Sequence, residues 1–293
     1  MSAQGAPVNA SGRLDGPDGM ARHPATANGT GQLQFGIGGI GLLGPGLCDW
    51  QSALPLLREP GLWSAAPTVV PAPLRLPATE RRRAGAVVKA SIVVADEALR
   101  GSDIDPADLA TVFSSSTGEP LNCHLLCEAL ALPERLVSPT RFTNSVHNAA
   151  AGYWHIATRS RAPSTSLAAF DASFGAGLLE AAVMCHSSGA PVLLVACDVP
   201  YPEPLHALRP ISDVFAVALL LLPVPQGRGM GLQVQAQQPA SACGHAGLQA
   251  LCDGIPAARC LPLLRALALG TACDQVLEGL PGFSLALRLA SAP

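Results

Sequence analysis

The feature that most restricts the fold of this chain is a short apolar stretch that changes into a helical pattern at one aspartate. Residues 166–170 are small or apolar, as in a short strand, and Asp171 follows them directly. From there apolar side chains recur on one helix face until Gly189 stops the pattern. That face consists of Phe174, Leu178, Ala181 and Ala182. We therefore predict that Asp171 caps the helix N-terminus, with its carboxylate accepting backbone N–H bonds.

Apolar runs on both sides of this turn predict a layered α/β fold. Residues 191–197 and 215–222 are continuous apolar runs of strand length, the pattern of central strands that are covered on both faces. Residues 231–237 alternate apolar residues with glutamine, as in a half-exposed strand. Residues 32–43 form the predicted first strand, and residues 111–115 form another. Together these patterns predict an α/β unit that begins with the first strand.

The first strand carries Gly36, Gly38 and Gly41 at the spacing of a dinucleotide-binding fingerprint. That fingerprint needs a helix directly after the glycine turn, so that the helix N-terminus meets the pyrophosphate. Here the glycines lie within the apolar run of the strand, and a Gly-Pro-Gly turn follows. The spacing therefore indicates a strand under close packing, and no cofactor is predicted.

Two surface elements are predicted between the first and second strands. Residues 55–77 are rich in proline and predict an irregular loop. A helical pattern then runs from Thr79 to Gly101. Its first turn carries Arg81, Arg82 and Arg83. Arginine suits the recognition of carboxylates and phosphates, so these side chains are candidates for docking an acidic carrier protein, with a solvated helix face as the alternative.

A helix predicted over residues 121–132 carries Cys123, His124 and Cys127. Cysteines four positions apart with a histidine between them resemble the start of a metal site. However, the chain has no second ligand pair at zinc spacing. We therefore predict a buried helix face here and no bound metal.

The motif at 144–152, Asn-Ser-Val-His-Asn-Ala-Ala-Ala-Gly, together with Ser-Thr-Ser-Leu at 164–167, resembles the N-terminal half of β-ketoacyl synthases. The resemblance implies a thiolase-like layered fold, in which the strand-to-helix turn carries a catalytic cysteine. Laying the family's Thr-Ala-Cys on this turn places Ala169, Phe170 and Asp171 at those three positions. The nucleophile is therefore absent, as it is in the non-catalytic ketosynthase partners called chain-length factors.

The same resemblance assigns a role to the 144–152 motif, which lies close to the dimer axis in ketosynthases. The residues expected at a partner interface are Asn144, Ser145, His147, Asn148, Gly152 and Phe170. His147 is not expected to act as a base, because no nucleophile can be identified for it to serve.

The second half of the chain departs from the family pattern. A full ketosynthase repeats the layered architecture and supplies two histidines, whereas only residues 238–293 remain here after the α/β unit at 32–237. His245 is the only histidine among them. We therefore expect an essentially complete N-terminal half, a C-terminal remnant, and a disordered extension over residues 1–31, which are almost without large apolar groups.

Three functional hypotheses follow. The first is a chain-length-factor-like subunit that pairs as a heterodimer with a catalytic β-ketoacyl synthase. The resemblance implies fatty acid or polyketide chain elongation of the bacterial aryl-polyene type as its context. The second is an acyl-processing enzyme, a thioesterase, acyltransferase or decarboxylase that uses Asp171 or Ser173. A carboxylate that a helix dipole stabilises is a poor base, which weakens this hypothesis. The third is a solitary relic that binds acyl carrier protein or lipid.

Composition excludes some other classes. The net charge of −3 offers no general basic field for nucleic acid. No apolar run reaches the length of a membrane span, and no secretory signal is visible, so a cytoplasmic protein is expected. Nine cysteines without paired motifs fit reduced thiols better than a disulfide framework. Only 13% of residues are charged, which favours a subunit that buries an apolar face against a partner.

Overall fold

The computed structural model describes residues 31–224 and 229–290. The extension predicted over residues 1–31 therefore lies outside the described residues except for its last position. Eight strands form one mixed sheet in the order β3-β2-β4-β5-β1-β6-β8-β7. The strands are β1 (Leu33–Leu43), β2 (Ala110–Ser114), β3 (Ser164–Leu167), β4 (Val192–Asp198), β5 (Phe215–Leu222), β6 (Met230–Ala236), β7 (Cys273–Glu278) and β8 (Phe283–Leu289).

Helices cover this sheet. They are α1 (Trp50–Arg58), α2 (Ala78–Arg83), α3 (Ala86–Ala98), α4 (Pro120–Ala131), α5 (Pro139–Asn144), α6 (Ala149–Thr158), α7 (Ser173–Ser188), α8 (Leu205–Leu208), α9 (Ala246–Gly254) and α10 (Leu261–Leu269). Short 3₁₀ helices lie at Pro60–Leu62, Phe170–Ala172 and Pro256–Cys260. No helix in the described ranges is long and apolar enough to cross a membrane.

Strand β4 shows why the fold is layered. Its side chains alternate between two apolar clusters, and all seven of its residues are buried. The first cluster also contains side chains from α7, α9 and α10, and the second contains side chains from α3 and α6. Strands β2, β3 and β4 run parallel, whereas β5 pairs antiparallel with both β4 and β1. This arrangement confirms the predicted α/β layering and its buried strands.

The glycines of β1 let helix α3 pack directly against the strand backbone. A Cβ atom at Gly39 would lie 1.9 Å from the carbonyl oxygen of Ala98, and one at Gly41 would lie 1.9 Å from that of Val94. No larger residue fits at either position without separating the helix from the sheet. The apparent dinucleotide spacing therefore reflects close packing.

Two predictions about the region between β1 and β2 were wrong in detail. Pro55 lies inside helix α1, so the irregular loop begins later than predicted. The helix predicted from Thr79 to Gly101 is two helices, because the chain is extended at Ala84 and α3 begins after Gly85. The buried carboxylate of Glu119 accepts the Val88 N–H bond at the start of α3, and a Cβ at Gly85 would collide with it. A carboxylate from outside the helix thus fixes where α3 starts.

The C-terminal residues complete the same core. Strands β6, β8 and β7 continue the sheet beyond β1, whose residues 33–35 pair with β6. Helices α9 and α10 add Leu248, Leu263 and Leu264 to the cluster that contains α7. The division of the chain at residues 237 and 238 stays a prediction.

Candidate functional site

The turn between β3 and α7, residues 168–172, is called the elbow here. The chain leaves β3 at Leu167, passes through a 3₁₀ turn and enters α7 at Ser173. Phe170 has a φ of +52°, a left-handed conformation that is uncommon for a side chain of this size. This sharp turn brings Asp171 to the surface of the molecule, where its side chain is 35% exposed.

Asp171 does not cap helix α7, so that prediction was wrong. The position before the helix is taken by Ala172, which makes no side-chain cap bond, because the 3₁₀ turn separates the aspartate from the helix start. The Asp171 carboxylate turns instead toward two arginines. Its Oδ1 accepts from Arg209 Nη2 at 2.6 Å, and its Oδ2 lies 3.1 Å from Arg259 Nη2. Both carboxylate oxygens are therefore engaged by charged donors from the same chain.

The two arginines connect the elbow to distant parts of the chain. Arg259, on the 3₁₀ helix at Pro256–Cys260, also pairs with Glu278 at the end of β7. Arg209, just after α8, donates to the Ser116 hydroxyl at 2.7 Å. The Arg209 guanidinium also lies 3.7 Å from the centre of the Phe170 ring, a cation–π contact. Sequence reasoning missed both arginines, because neither lies in a motif or near the elbow in the chain.

Ser173, the other candidate nucleophile, is buried and used by the elbow itself. Its hydroxyl donates to the Phe170 carbonyl at 2.7 Å and accepts from the Ala169 N–H at 3.0 Å. These two bonds close the turn from Ala169 to Ser173. A hydroxyl held in this way lacks the neighbouring base that activates a serine nucleophile.

Asp198, the last residue of β4, organises the loop that follows β2. Its Oδ1 accepts from the backbone N–H groups of Ser116 (2.7 Å) and Thr117 (3.1 Å) and from the Ser115 hydroxyl (3.2 Å). Its Oδ2 accepts from the Ala257 N–H at 2.8 Å. Burial raises the pKa of Asp198 above 3.8, although these hydrogen bonds oppose the shift. The carboxylate thus ties the β2 loop to the 3₁₀ helix that carries the second arginine. The position of Asp198 at the end of an apolar strand could have indicated this residue from the sequence.

The residues predicted for a partner interface divide into two groups. Asn144 is buried and holds its own chain together, because its amide donates to the Arg83 carbonyl at 2.7 Å and its Oδ1 accepts from the Tyr153 hydroxyl at 3.0 Å. Ser145 is partly buried and donates to the Phe142 carbonyl. The exposed group consists of His147, Asn148, Gly152 and Phe170. His147 Nε2 lies 2.9 Å from the Ser115 carbonyl, which joins the motif to the β2 loop.

The chain from residue 120 to residue 170, called segment 120–170, presents much apolar surface. It holds eight of the eighteen exposed large apolar side chains in the described residues: Leu121, Leu130, Leu132, Leu136, Phe142, Val146, Ile156 and Phe170. Strand β3 lies at the edge of the sheet in the same segment, and its outer side pairs with no strand of the described ranges. Exposed apolar side chains beside an open strand edge are typical of a surface that binds another protein.

Helix α4 is part of this surface, so the prediction that Cys123, His124 and Cys127 lie on a buried face was wrong. Both cysteines are exposed, and Pro120 is the buried residue of the helix. His124 instead lies 3.3 Å from Glu128. Within residues 31–224 and 229–290, no group of three or more histidine, cysteine or acidic side chains is arranged to hold a metal.

The three predicted docking arginines lie on α2, next to this segment. Arg82 and Arg83 are exposed, and Arg81 is partly buried. Arg83 lies 3.6 Å from Glu80 within the same helix. Because the Asn144 amide bonds to the Arg83 carbonyl, the arginine helix and the end of α5 are joined.

Comparison with known proteins identifies the fold. The family model for the β-ketoacyl synthase N-terminal domain matches residues 58–261. A search of curated proteins gives no significant match. A solved structure described as a ketosynthase (ApeO) in complex with its chain length factor (ApeC) from Xenorhabdus doucetiae is 24% identical, with a TM-score of 0.66, over 87% of this chain and 99% of that one.

Two further solved structures have the same fold at lower identity. The ishigamide ketosynthase/chain length factor is 14% identical, with a TM-score of 0.63, over 88% of this chain and 99% of that one. AntDE:AntF, described as a type II PKS acyl-carrier protein in complex with its ketosynthase bound to the hexaketide, is 11% identical, with a TM-score of 0.64, over 89% of this chain and all of that one. These likenesses confirm the predicted thiolase-like, ketosynthase-type layered fold.

Proposed function

The chain belongs to the β-ketoacyl synthase family, and we propose that it acts there as a non-catalytic, chain-length-factor-like subunit. Its partner in this proposal is an active β-ketoacyl synthase, with which it forms a heterodimer. The pair would extend acyl chains in a pathway of the fatty acid or polyketide type, with aryl polyenes as the expected product class.

The observation that carries the proposal is the state of Asp171. Condensation in this family begins with a thiolate nucleophile, and the alignment of the elbow places Asp171 at that position. Both oxygens of Asp171 are engaged, one by Arg209 and one by Arg259. An acyl group transferred to either oxygen would have to displace the guanidinium bound there. In this proposal, the position that aligns with the family nucleophile is therefore occupied by an ion-pair network.

The same network opposes the acyl-processing alternative. A general base needs an oxygen free to accept a substrate proton, and a serine nucleophile needs a base beside it. Asp171 offers its oxygens to the arginines, and the Ser173 hydroxyl is bonded to the elbow backbone. Neither group is arranged for acyl transfer.

Segment 120–170 supports the partner half of the proposal. Phe142 is 61% exposed and Leu136 is 80% exposed, although both are apolar groups that water solvates poorly. The open edge of β3 offers backbone donors and acceptors to a strand of another chain. The solved relatives described as a ketosynthase with a chain length factor make a ketosynthase the partner that fits best.

A carrier protein is the second partner we propose. Acyl carrier proteins deliver acidic surface and a phosphate-linked arm, both of which suit arginine. Arg82 and Arg83 project from a short helix that is joined to segment 120–170 through Asn144. A carrier bound at α2 would therefore lie beside the proposed heterodimer surface.

The experiment that tests the function is expression of the chain alone and together with a β-ketoacyl synthase encoded in the same gene neighbourhood. Size-exclusion chromatography with light scattering then measures the mass of each species. The proposal expects a one-to-one complex, and an aggregated or poorly recovered chain when the synthase is absent. A monodisperse chain that elutes separately from the synthase would overturn the proposal. That result would favour an acyl-processing enzyme or a solitary relic that binds acyl carrier protein or lipid.

A further inference from the structure

Three buried cysteines lie together in the C-terminal part of the core, away from the elbow. Cys243 precedes α9, Cys252 lies within α9, and Cys260 ends the following 3₁₀ helix. The sulfur atoms of Cys243 and Cys252 are 2.9 Å apart, closer than in ordinary packing of two thiols. These two thiols need only a small movement to become bonded.

The surroundings make the two thiols chemically different. A hydrogen bond from Cys252 lowers the pKa of Cys243, with the Arg265 guanidinium nearby as a further cause and burial acting against them. The same hydrogen bond and burial raise the pKa of Cys252. Arg265 is fixed in place, because it donates to the carbonyls of Leu57 and Cys243. The contact between the two thiols thus favours ionisation of Cys243 over ionisation of Cys252.

A small molecule can approach this pair from the surface. A cavity of about 270 Å³ lies between α9 and β7, and Cys252 is part of its wall. Ser241, Gln249 and Asp253 line its polar side. The cavity is large enough for a molecule of the size of hydrogen peroxide, and the sulfur of the fully buried Cys243 lies 2.9 Å from that of Cys252.

We propose that Cys243 and Cys252 are a redox-active pair that peroxide converts into a disulfide. The thiolate of one of the two cysteines attacks one peroxide oxygen, the O–O bond breaks, and hydroxide leaves and takes up a proton to become water. The sulfur of the other cysteine then attacks the resulting sulfenic acid, so that the S–S bond forms, the S–O bond breaks and a second water leaves with the thiol proton. One peroxide is reduced to two waters for each pair of thiols oxidised.

The disulfide would affect the elbow through the 3₁₀ helix at Pro256–Cys260. Cys252 lies against the Ala258 carbonyl at 3.3 Å, and the next residue, Arg259, binds Asp171. Joining two cysteines nine positions apart constrains the unfolded chain. For a protein of this size, we expect oxidation to raise the midpoint of thermal unfolding by ~3–5 °C.

The test begins with the full chain, alone or in its synthase complex if it is recovered only there. It is treated with hydrogen peroxide or with dithiothreitol, alkylated in denaturant and digested with chymotrypsin and trypsin, which cut between Cys243 and Cys252 at Leu248 and between Cys252 and Cys260 at Arg259. Mass spectrometry should then find one disulfide-linked pair of peptides carrying Cys243 and Cys252, in the peroxide sample alone. Alkylation of both thiols after peroxide treatment, or a disulfide that joins Cys260 instead, would overturn the proposal.

Substitutions provide the second arm. Cys243→Ser and Cys252→Ser should each abolish the peroxide-dependent rise in the unfolding midpoint, whereas Cys185→Ser, at a buried cysteine of α7, should retain it. A midpoint that rises equally in Cys243→Ser would contradict the assignment. Because the peptide measurement uses the unsubstituted chain, it decides the question even if a variant fails to fold.

Discussion

The elbow and segment 120–170 differ in whether their exposed groups have partners within the chain. At the elbow, a partly exposed carboxylate is satisfied within the chain, since Arg209 and Arg259 bind it and Glu278 binds the second of these arginines. Segment 120–170 instead leaves leucine and phenylalanine side chains facing solvent beside an unpaired strand edge. The position that aligns with the family nucleophile is thus bound by arginines, whereas the proposed partner surface is exposed to solvent.

This contrast indicates which part of the molecule is available for function. A catalytic site keeps at least one reactive group free for a substrate, whereas a docking surface keeps apolar area free for a partner. Segment 120–170, where the family resemblance predicts the dimer contact, keeps apolar area free for a partner. Asp171, which aligns with the family nucleophile, has no oxygen that is free of an arginine. The predictions below test the two regions separately.

The largest effect is expected from a charge placed in segment 120–170. Leu136→Asp puts an unpaired carboxylate into the proposed interface, which should weaken the heterodimer by roughly 2 kcal/mol or more, about thirtyfold in Kd. Leu74→Asp is the matched control, because Leu74 is a leucine of the same exposure, 81% against 80%, outside the segment. Titration calorimetry with the purified synthase measures both. Equal losses of affinity would remove the segment from the interface.

Asp198→Asn tests the hydrogen bonds that join the β2 loop to the 3₁₀ helix at Pro256–Cys260. The asparagine places an amide donor where an oxygen now accepts a backbone N–H bond, so the free energy of unfolding should fall by about 2–3 kcal/mol. Because burial raises the pKa of Asp198 above 3.8, its contribution to stability is full below that pH and is lost as the pH rises through the raised pKa. The stability difference between wild type and variant should therefore shrink as the pH rises, which urea unfolding at several pH values measures. A difference that grows with pH would contradict this sign.

Phe170→Ala tests the point where the two regions meet. The ring stacks on Arg209 and is 66% exposed, so its loss should weaken the heterodimer by about 1–2 kcal/mol, roughly five- to thirtyfold in Kd. Phe283→Ala on β8 is the control, at a phenylalanine that is 54% exposed. If the control weakens binding as much as Phe170→Ala does, the elbow has no special part in pairing.

The smallest effect is expected from the arginine helix. Replacing Arg82 and Arg83 with glutamate should lower the affinity for acyl carrier protein a few fold, since exposed charge pairs contribute about 1 kcal/mol or less. The effect should fade as salt is added. Arg100→Glu combined with Arg288→Glu, at two other exposed arginines, is the control with the same change in net charge. An affinity that the substitutions at Arg82 and Arg83 leave unchanged at low salt would rule out docking on α2.

The sequence predicted most of the strands and the elbow, but it did not predict β7 or the groups that surround Asp171. Apolar periodicity located β4, β5 and the inner face of α7, because burial on one or both faces leaves a local pattern. Arg209 and Arg259 reach the elbow from a loop and a 3₁₀ turn far along the chain, and no local pattern records such a contact. The prediction that helix α4 has a buried face was wrong for a different reason. Its apolar residues show that a face avoids water but not which molecule covers it.

The most direct test of the central claim is the condensation rate of the purified heterodimer carrying Asp171→Ala or Asp171→Asn, compared at equal concentrations of assembled complex. The asparagine variant keeps the shape of the side chain while removing its charge, and a synthase that lacks its own nucleophilic cysteine provides the inactive control. We predict a rate within about twofold of the unsubstituted complex, because the proposed function gives Asp171 no part in the chemistry. Loss of a catalytic acid, base or nucleophile typically lowers a rate by about 10² or more, and a decrease of that size in both variants would contradict the account.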